Sequence, residues 1–129
     1  MTTGYATSLR NAQLDPITTA VGNAGKLQIY DGTRPATGGT ATVKLAEFTL
    51  GSPFAPAAAA GVLSPTLPSA TTGITAGTAT WFRITTSGGT FVLDGSAGIS
   101  ATDLILNTAA ISSGVNVTVS AFSITRGNP

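Results

Sequence analysis

Only a few residues in this chain could do chemistry. They are the carboxylates Asp15, Asp31, Glu47, Asp94 and Asp103, six Lys/Arg side chains, and many Ser and Thr hydroxyls; there is no histidine and no cysteine in 129 residues. A Ser or Thr nucleophile needs a base to take its proton, and here that base would have to be Lys26, Lys44 or a carboxylate. No Ser-x-x-Lys spacing supplies one. A glycosidase would need two carboxylates to converge on one bond. Asp15 stands before Pro16 as a helix cap, however, and Asp31 and Asp94 precede Gly32 and Gly95 as turn residues. Calcium requires clustered carboxylates and structural zinc usually requires thiolates. The spacing offers neither, so no metal, no cofactor and no catalytic residue is expected, and the chain reads as a non-enzyme.

Gly22-Asn23-Ala24-Gly25-Lys26 looks like a phosphate loop only until its context is considered. A P-loop leaves a strand and opens a helix, whereas this segment leaves a helical pattern and opens a strand. Asn116-Val117-Thr118 matches a glycosylation sequon, but so short a motif carries no weight by itself. Trp81-Phe82-Arg83 and Tyr30 are more informative, because aromatic side chains on a β surface can stack on sugars, bases or another protein. Alternation along a strand sends Trp81 and Phe82 to opposite faces. One of them should therefore enter the core and the other should face solvent or a partner.

The elements that must hold these residues follow from periodicity. Leu14, Ile17 and Val21 give the first 25 residues an apolar helical face. The expected start is at Asp15-Pro16, with a separate helical turn over Ser8–Gln13 and a stop at Gly22 or Gly25. From Lys26 the period becomes two. Strands are expected over Lys26–Asp31, Val43–Leu50 (with a bulge near Ala46), Thr78–Thr86, Phe91–Asp94 and Leu104–Leu106. A long bent strand is expected through Val115, Val117, Val119, Phe122 and Ile124. Ser87-Gly88-Gly89 marks a hairpin. The stretch between Gly51 and Gly77 holds Pro53, Pro56, Pro65 and Pro68. It reads as a long loop, with Gly61-Val62-Leu63 as a short edge strand.

These elements predict one mainly β domain: an arm and helix over 1–25, then an antiparallel two-sheet sandwich, jelly-roll-like, over 26–129 with a Pro/Ala-rich loop at about 51–77. Charged residues are only 9% of the chain, against about 25% in ordinary proteins. The net charge of +1 is spread without any basic run, so direct nucleic-acid binding is not expected. No stretch approaches the 18 apolar residues of a membrane span. The start Met1-Thr2-Thr3-Gly4-Tyr5 lacks a signal-peptide pattern, so the expected site of synthesis is the cytoplasm of the producing cell. Near-zero net charge favours association. The candidate protein-interface residues are Tyr5, Tyr30, Arg34, Pro53, Phe54, Pro65, Pro68, Trp81 and Arg83, and the Gly51–Ser69 segment is expected to be ordered mainly by partners.

Gly25-Lys26-Leu27-Gln28-Ile29-Tyr30-Asp31-Gly32-Thr33-Arg34-Pro35, with Leu14-Asp15-Pro16-Ile17 before it and Gly77-Thr78-Ala79-Thr80-Trp81-Phe82-Arg83 after it, resembles a family of small tailed-phage and prophage virion proteins. The resemblance spans nearly the whole chain. It implies a capsid decoration, or cement, protein on the outer shell. Its partner would be the major capsid protein, and it would be a dimer or trimer made in the bacterial host. A tail-tube, neck or fibre-associated role is the alternative. A carbohydrate-binding adhesion module is a third reading, set back by the shortage of aromatics.

Overall fold

The computed structural model describes residues 3–126, and the remaining terminal residues lie outside the description. A single helix, α1 (Thr7–Val21), precedes the strands β1 (Lys26–Tyr30), β2 (Lys44–Thr49), β3 (Val62–Leu63), β4 (Thr71–Thr72), β5 (Gly77–Thr78) and β6 (Trp81–Thr85). They are followed by β7 (Phe91–Gly98), β8 (Leu104–Leu106), β9 (Ala110–Ile111), β10 (Asn116–Val117), β11 (Val119–Phe122) and β12 (Ile124–Thr125). The protein is mainly β, with a curled six-stranded sheet in the order β11-β8-β7-β6-β1-β2. Three two-stranded ladders, β10-β4, β12-β3 and β5-β9, complete the described strands.

The helix departs from the expected start. It runs unbroken from Thr7 through Pro16, and its N-cap is Ala6, which makes no side-chain cap hydrogen bond. Asp15 is therefore not a cap. Its Oδ1 accepts the Ala58 N–H at 2.8 Å, serving a distant loop instead of its own helix. An internal proline removes one ladder bond and is unfavourable. Burial of Leu14 and Val21, with Ile17 packed beside them, holds the helix together across it. The stop is at Gly22, whose φ of +70° suits glycine and whose N–H reaches Thr18 O at 3.1 Å.

The strand periods place the core. Leu27 and Ile29 of β1 pair with Phe48 and Ala46 on one side and with Ile84 and Phe82 on the other, all on one face. The register slips between Ile29 and Tyr30, where Leu45 becomes the extra residue. This is the bulge anticipated near Ala46, and it buries Leu45 and Ala46 together. The β6–β7 hairpin closes through Thr86–Thr90 as its glycines suggest, with Thr86 N donating to Thr90 O at 2.9 Å. Three strands differ from expectation, the first being β7, which runs on past Asp94 to Gly98. The stretch 78–86 is interrupted before Trp81, and the C-terminal strand is divided into β10, β11 and β12. β7 and β8 also pair in parallel, so the sheet is mixed rather than purely antiparallel.

The proline-rich segment needs the largest correction. Phe54 is fully buried, Leu63 likewise, and Ala55 and Pro65 are buried beside them. Phe54 and Leu63 join the same apolar cluster as Leu14, Leu27, Phe82, Leu104 and Val117. The segment is also tied down through its backbone: Thr66 N donates to Phe54 O at 3.1 Å, and Gly61 N donates to Asn11 Oδ1 at 2.9 Å. The chain has few large side chains, so it recruits its loop aromatic into the core. Replacing Phe54 with alanine should cost about 3–5 kcal/mol in urea unfolding. A loss below about 1 kcal/mol would show that the segment packs loosely on the domain.

Candidate functional site

The face of β1 and β6 opposite the core carries Gln28 and Tyr30 beside Trp81 and Arg83. Tyr30 and Trp81 stack with centroids 4.4 Å apart and planes 17° from parallel. The Arg83 guanidinium lies 5.1 Å from the Trp81 ring centroid and 5.3 Å from that of Phe91. The result is a column running Tyr30, Trp81, Arg83, Phe91. Arg83 Nη2 donates to Gly39 O at 2.7 Å and stands 3.7 Å from Asp94 Oδ2. Both charged side chains are largely buried, and Arg83 Nε and Asp94 Oδ2 have no hydrogen-bond partner.

The connection from Asp31 to Val43 covers this column. Trp81 Nε1 donates to both Asp31 O and Thr42 Oγ1 at 3.0 Å. Thr80 Oγ1 donates to Gly32 O at 2.6 Å, and Asp31 Oδ1 accepts the Val43 N–H at 3.2 Å. Trp81 and Phe82 are consequently both buried, one beneath this connection and the other in the core. The expectation that one of them faces solvent fails because a distant loop covers the second face. Tyr30 is buried as well, and burial is the main cause that raises its phenol pKa.

Next to the column, Glu47 Oε2 accepts Gln28 Nε2 and Lys44 Nζ, each at 3.0 Å, and Tyr30 OH donates to Gln28 Oε1 at 2.8 Å. Burial alone would raise the Glu47 pKa. The hydrogen bonds from Gln28 and Lys44, with the Lys44 and Lys26 charges, outweigh burial and hold it below the ordinary value.

Of the nine candidate interface residues, the fold brings together Tyr30, Trp81 and Arg83, and it buries the first two away from any partner. Phe54 and Pro65 are interior. Pro68 is half-buried, as is Tyr5, whose ring lies 5.5 Å from the Arg126 guanidinium. Arg34 and Pro53 are exposed. Sequence reasoning missed a groove of about 360 Å³ walled by Ile17, Phe82, Leu93, Phe122 and Ile124, with Asp103 also lining it. Phe82 and Phe122 meet edge to face across it, with centroids 5.3 Å apart. Asp103 Oδ2 accepts both the N–H and the hydroxyl of Ser96, at 3.0 and 3.1 Å.

Among the described residues no group of three or more metal-ligating side chains converges, and no helix is long and apolar enough to cross a membrane. No protein-family model, curated protein or solved structure matches the chain.

Two measurements check the outer face. Trp81→Phe keeps an aromatic ring but removes a donor to two acceptors and part of the buried indole, and should cost at least about 1–2 kcal/mol in urea unfolding. A neutral result would mean that the Asp31–Val43 connection is not anchored by the indole. Glu47, with its lowered pKa, contributes stability that is full above the ordinary glutamate value of about 4.3 and is lost as pH falls through that value and below. Unfolding midpoints taken from about pH 6 down to about pH 3 should therefore fall less steeply for Glu47→Gln than for the parent. Equal slopes would contradict the hydrogen-bonded role of Glu47.

Proposed function

We propose that this protein is a structural component of a tailed-phage particle, a decoration protein that binds the outer shell and bridges neighbouring major capsid protein subunits. The family reading rests on the three sequence strings quoted above. The structural observation that carries the rest is how the charged groups are used. Asp15 holds Ala58 N, Asp31 holds Val43 N, Glu47 holds Gln28 and Lys44, Asp103 holds Ser96, and Asp94 stands against Arg83. Five of the six cations are also engaged: Arg10 with Thr7, Lys26 with Thr49, Lys44 with Glu47, Arg83 with Gly39 and Arg126 with Gln13. Each of the five Asp and Glu side chains thus lies against a group of the protein's own scaffold, which supports a structural rather than a catalytic reading.

The surface left over is mostly neutral hydroxyl and methyl groups, with Leu9, Val43, Leu67, Ile74 and Ile99 exposed. Such a surface suits flat contacts repeated many times over a lattice, where multivalency makes modest individual contacts sufficient. The finer architecture belongs to the same proposal. A jelly-roll-like sandwich requires α1 and the three short ladders to make a second layer over the six-stranded sheet, and the burial of Leu14, Leu63, Ile111 and Val117 in one cluster with Phe82 and Ile84 supports that reading. A tail-tube subunit would need a long hairpin to join its rings, and the β6–β7 hairpin turns tightly at Thr86–Thr90. That observation favours the shell over the tail.

Copy number in purified particles is the test. Hundreds of copies are expected per particle, whereas a modest multiple of six would move the protein to the tail or neck. Its absence from particles would end the proposal. Particles lacking it should assemble but lose their DNA at lower temperature, because a clamp that binds only the closed lattice stabilises that state by mass action. Attachment should survive high salt, since screening weakens only charged contacts.

A further inference from the structure

The groove beside β7 has a backbone side as well as an apolar one. Ala97 N donates to Thr80 O at 3.1 Å, so the pair 80/97 is a hydrogen-bonded one. Antiparallel ladders alternate. The pair Phe82/Gly95 therefore also exchanges bonds, while Trp81/Ser96 and Arg83/Asp94 turn their backbone groups away from each other. The Ser96 N–H bears this out, since it points outward and is taken by the Asp103 carboxylate. On that outer side β7 pairs with β8 only at Ala97 and Gly98. The Asp94 N–H and C=O are left facing the groove side, where no strand pairs with β7 at that position among the described residues. The far wall is itself extended chain, from Phe122 to Thr125.

Strand edges with unpaired backbone are templates for another strand. Here the open stretch is short, lies above a floor of Phe82 and Phe122, and has Asp103 at its lining. We propose that this groove receives an extended segment of a partner protein, pairing with the backbone of Asp94. One large apolar side chain of the segment enters between Ile17, Leu93 and Ile124, and an adjacent Lys or Arg meets Asp103. The charge argument selects the occupant. Asp103 is an exposed carboxylate at a groove lined by Asp94 and by no Lys or Arg, so a cationic neighbour is favoured there and an acidic one is repelled. At about 360 Å³ the groove is at the small end of binding cavities and suits a few residues rather than a long strand. The inference is independent of the particle reading, because any partner with such a segment would serve.

The probe is a blocked octapeptide of alternating threonine and valine with a central Leu–Lys pair, titrated into the full chain and followed by amide chemical shifts. Saturable shifts centred on Leu93–Gly95 and Ser123–Thr125 are expected. Methylating the peptide nitrogen that faces Asp94 should weaken binding roughly tenfold, the loss of one hydrogen bond. Asp103→Asn keeps an acceptor for Ser96 while removing the charge. It should weaken the lysine peptide several-fold and leave a norleucine-for-lysine peptide unaffected. No saturation at millimolar peptide, or shifts located elsewhere, would overturn the proposal. Equal affinity for the lysine peptide and a glutamate-for-lysine peptide would overturn the choice of a cationic occupant. Concentration-dependent shifts at Asp94 without peptide would assign the groove to a second copy of this chain and overturn the proposal of a foreign strand.

Discussion

A six-stranded sheet has two faces, and this chain has few large side chains with which to cover them. That constraint organises the molecule. On one face Leu27, Ile29, Phe48, Phe82 and Ile84 are covered by α1 and by Phe54, Leu63, Ile111 and Val117 from short ladders and connections. The other face could have stayed in water, as one side of an antiparallel sheet often does. Instead Trp81 lies there with Tyr30 and Arg83, and the Asp31–Val43 connection folds over them. A buried indole must find an acceptor for its N–H. The carbonyl of Asp31 provides one, so a single hydrogen-bond site fixes both the tryptophan and the loop above it.

The local grammar of the sequence carried much of this. Alternation of Leu27 and Ile29 against Gln28 and Tyr30 marked β1 and its buried face. The glycines after Thr86 marked the hairpin, and the parity change across Leu45–Phe48 marked the bulge. Where the reading failed, the deciding contact came from far along the chain. Asp15 and Pro16 spell a helix start, yet Leu14 and Val21 pack on both sides of that point and Asp15 bonds Ala58. Phe54 stands among prolines and alanines, a composition typical of an exposed loop. Only the core's need for volume explains why it is buried.

The groove could not have been read from the chain at all. Its walls come from α1, β6, β7, β11 and β12, from Ile17 to Ile124, and no local period links them. Gly95 is the one residue there with a visible reason. A Cβ at that position would sit 2.7 Å from Phe82 Cε1 and 2.9 Å from Asp103 Oδ2, so only glycine lets the ring and the carboxylate approach β7 together. Both faces are covered at the centre of the sheet, where β1 and β6 lie, while a short stretch of the β7 edge is not paired. That edge, with Asp103 beside it, is what the proposed strand contact rests on.

Residue-resolved amide hydrogen exchange on the free protein tests this account most directly. Closed faces and a recruited loop predict strong protection for β1 and β6, and protection at Gly61 and Thr66, whose N–H groups are bonded inside the fold. The Asp94 N–H should exchange fast among slow neighbours. Rapid exchange throughout 51–69, or an Asp94 amide as protected as those of Gly95 and Ala97, would contradict it.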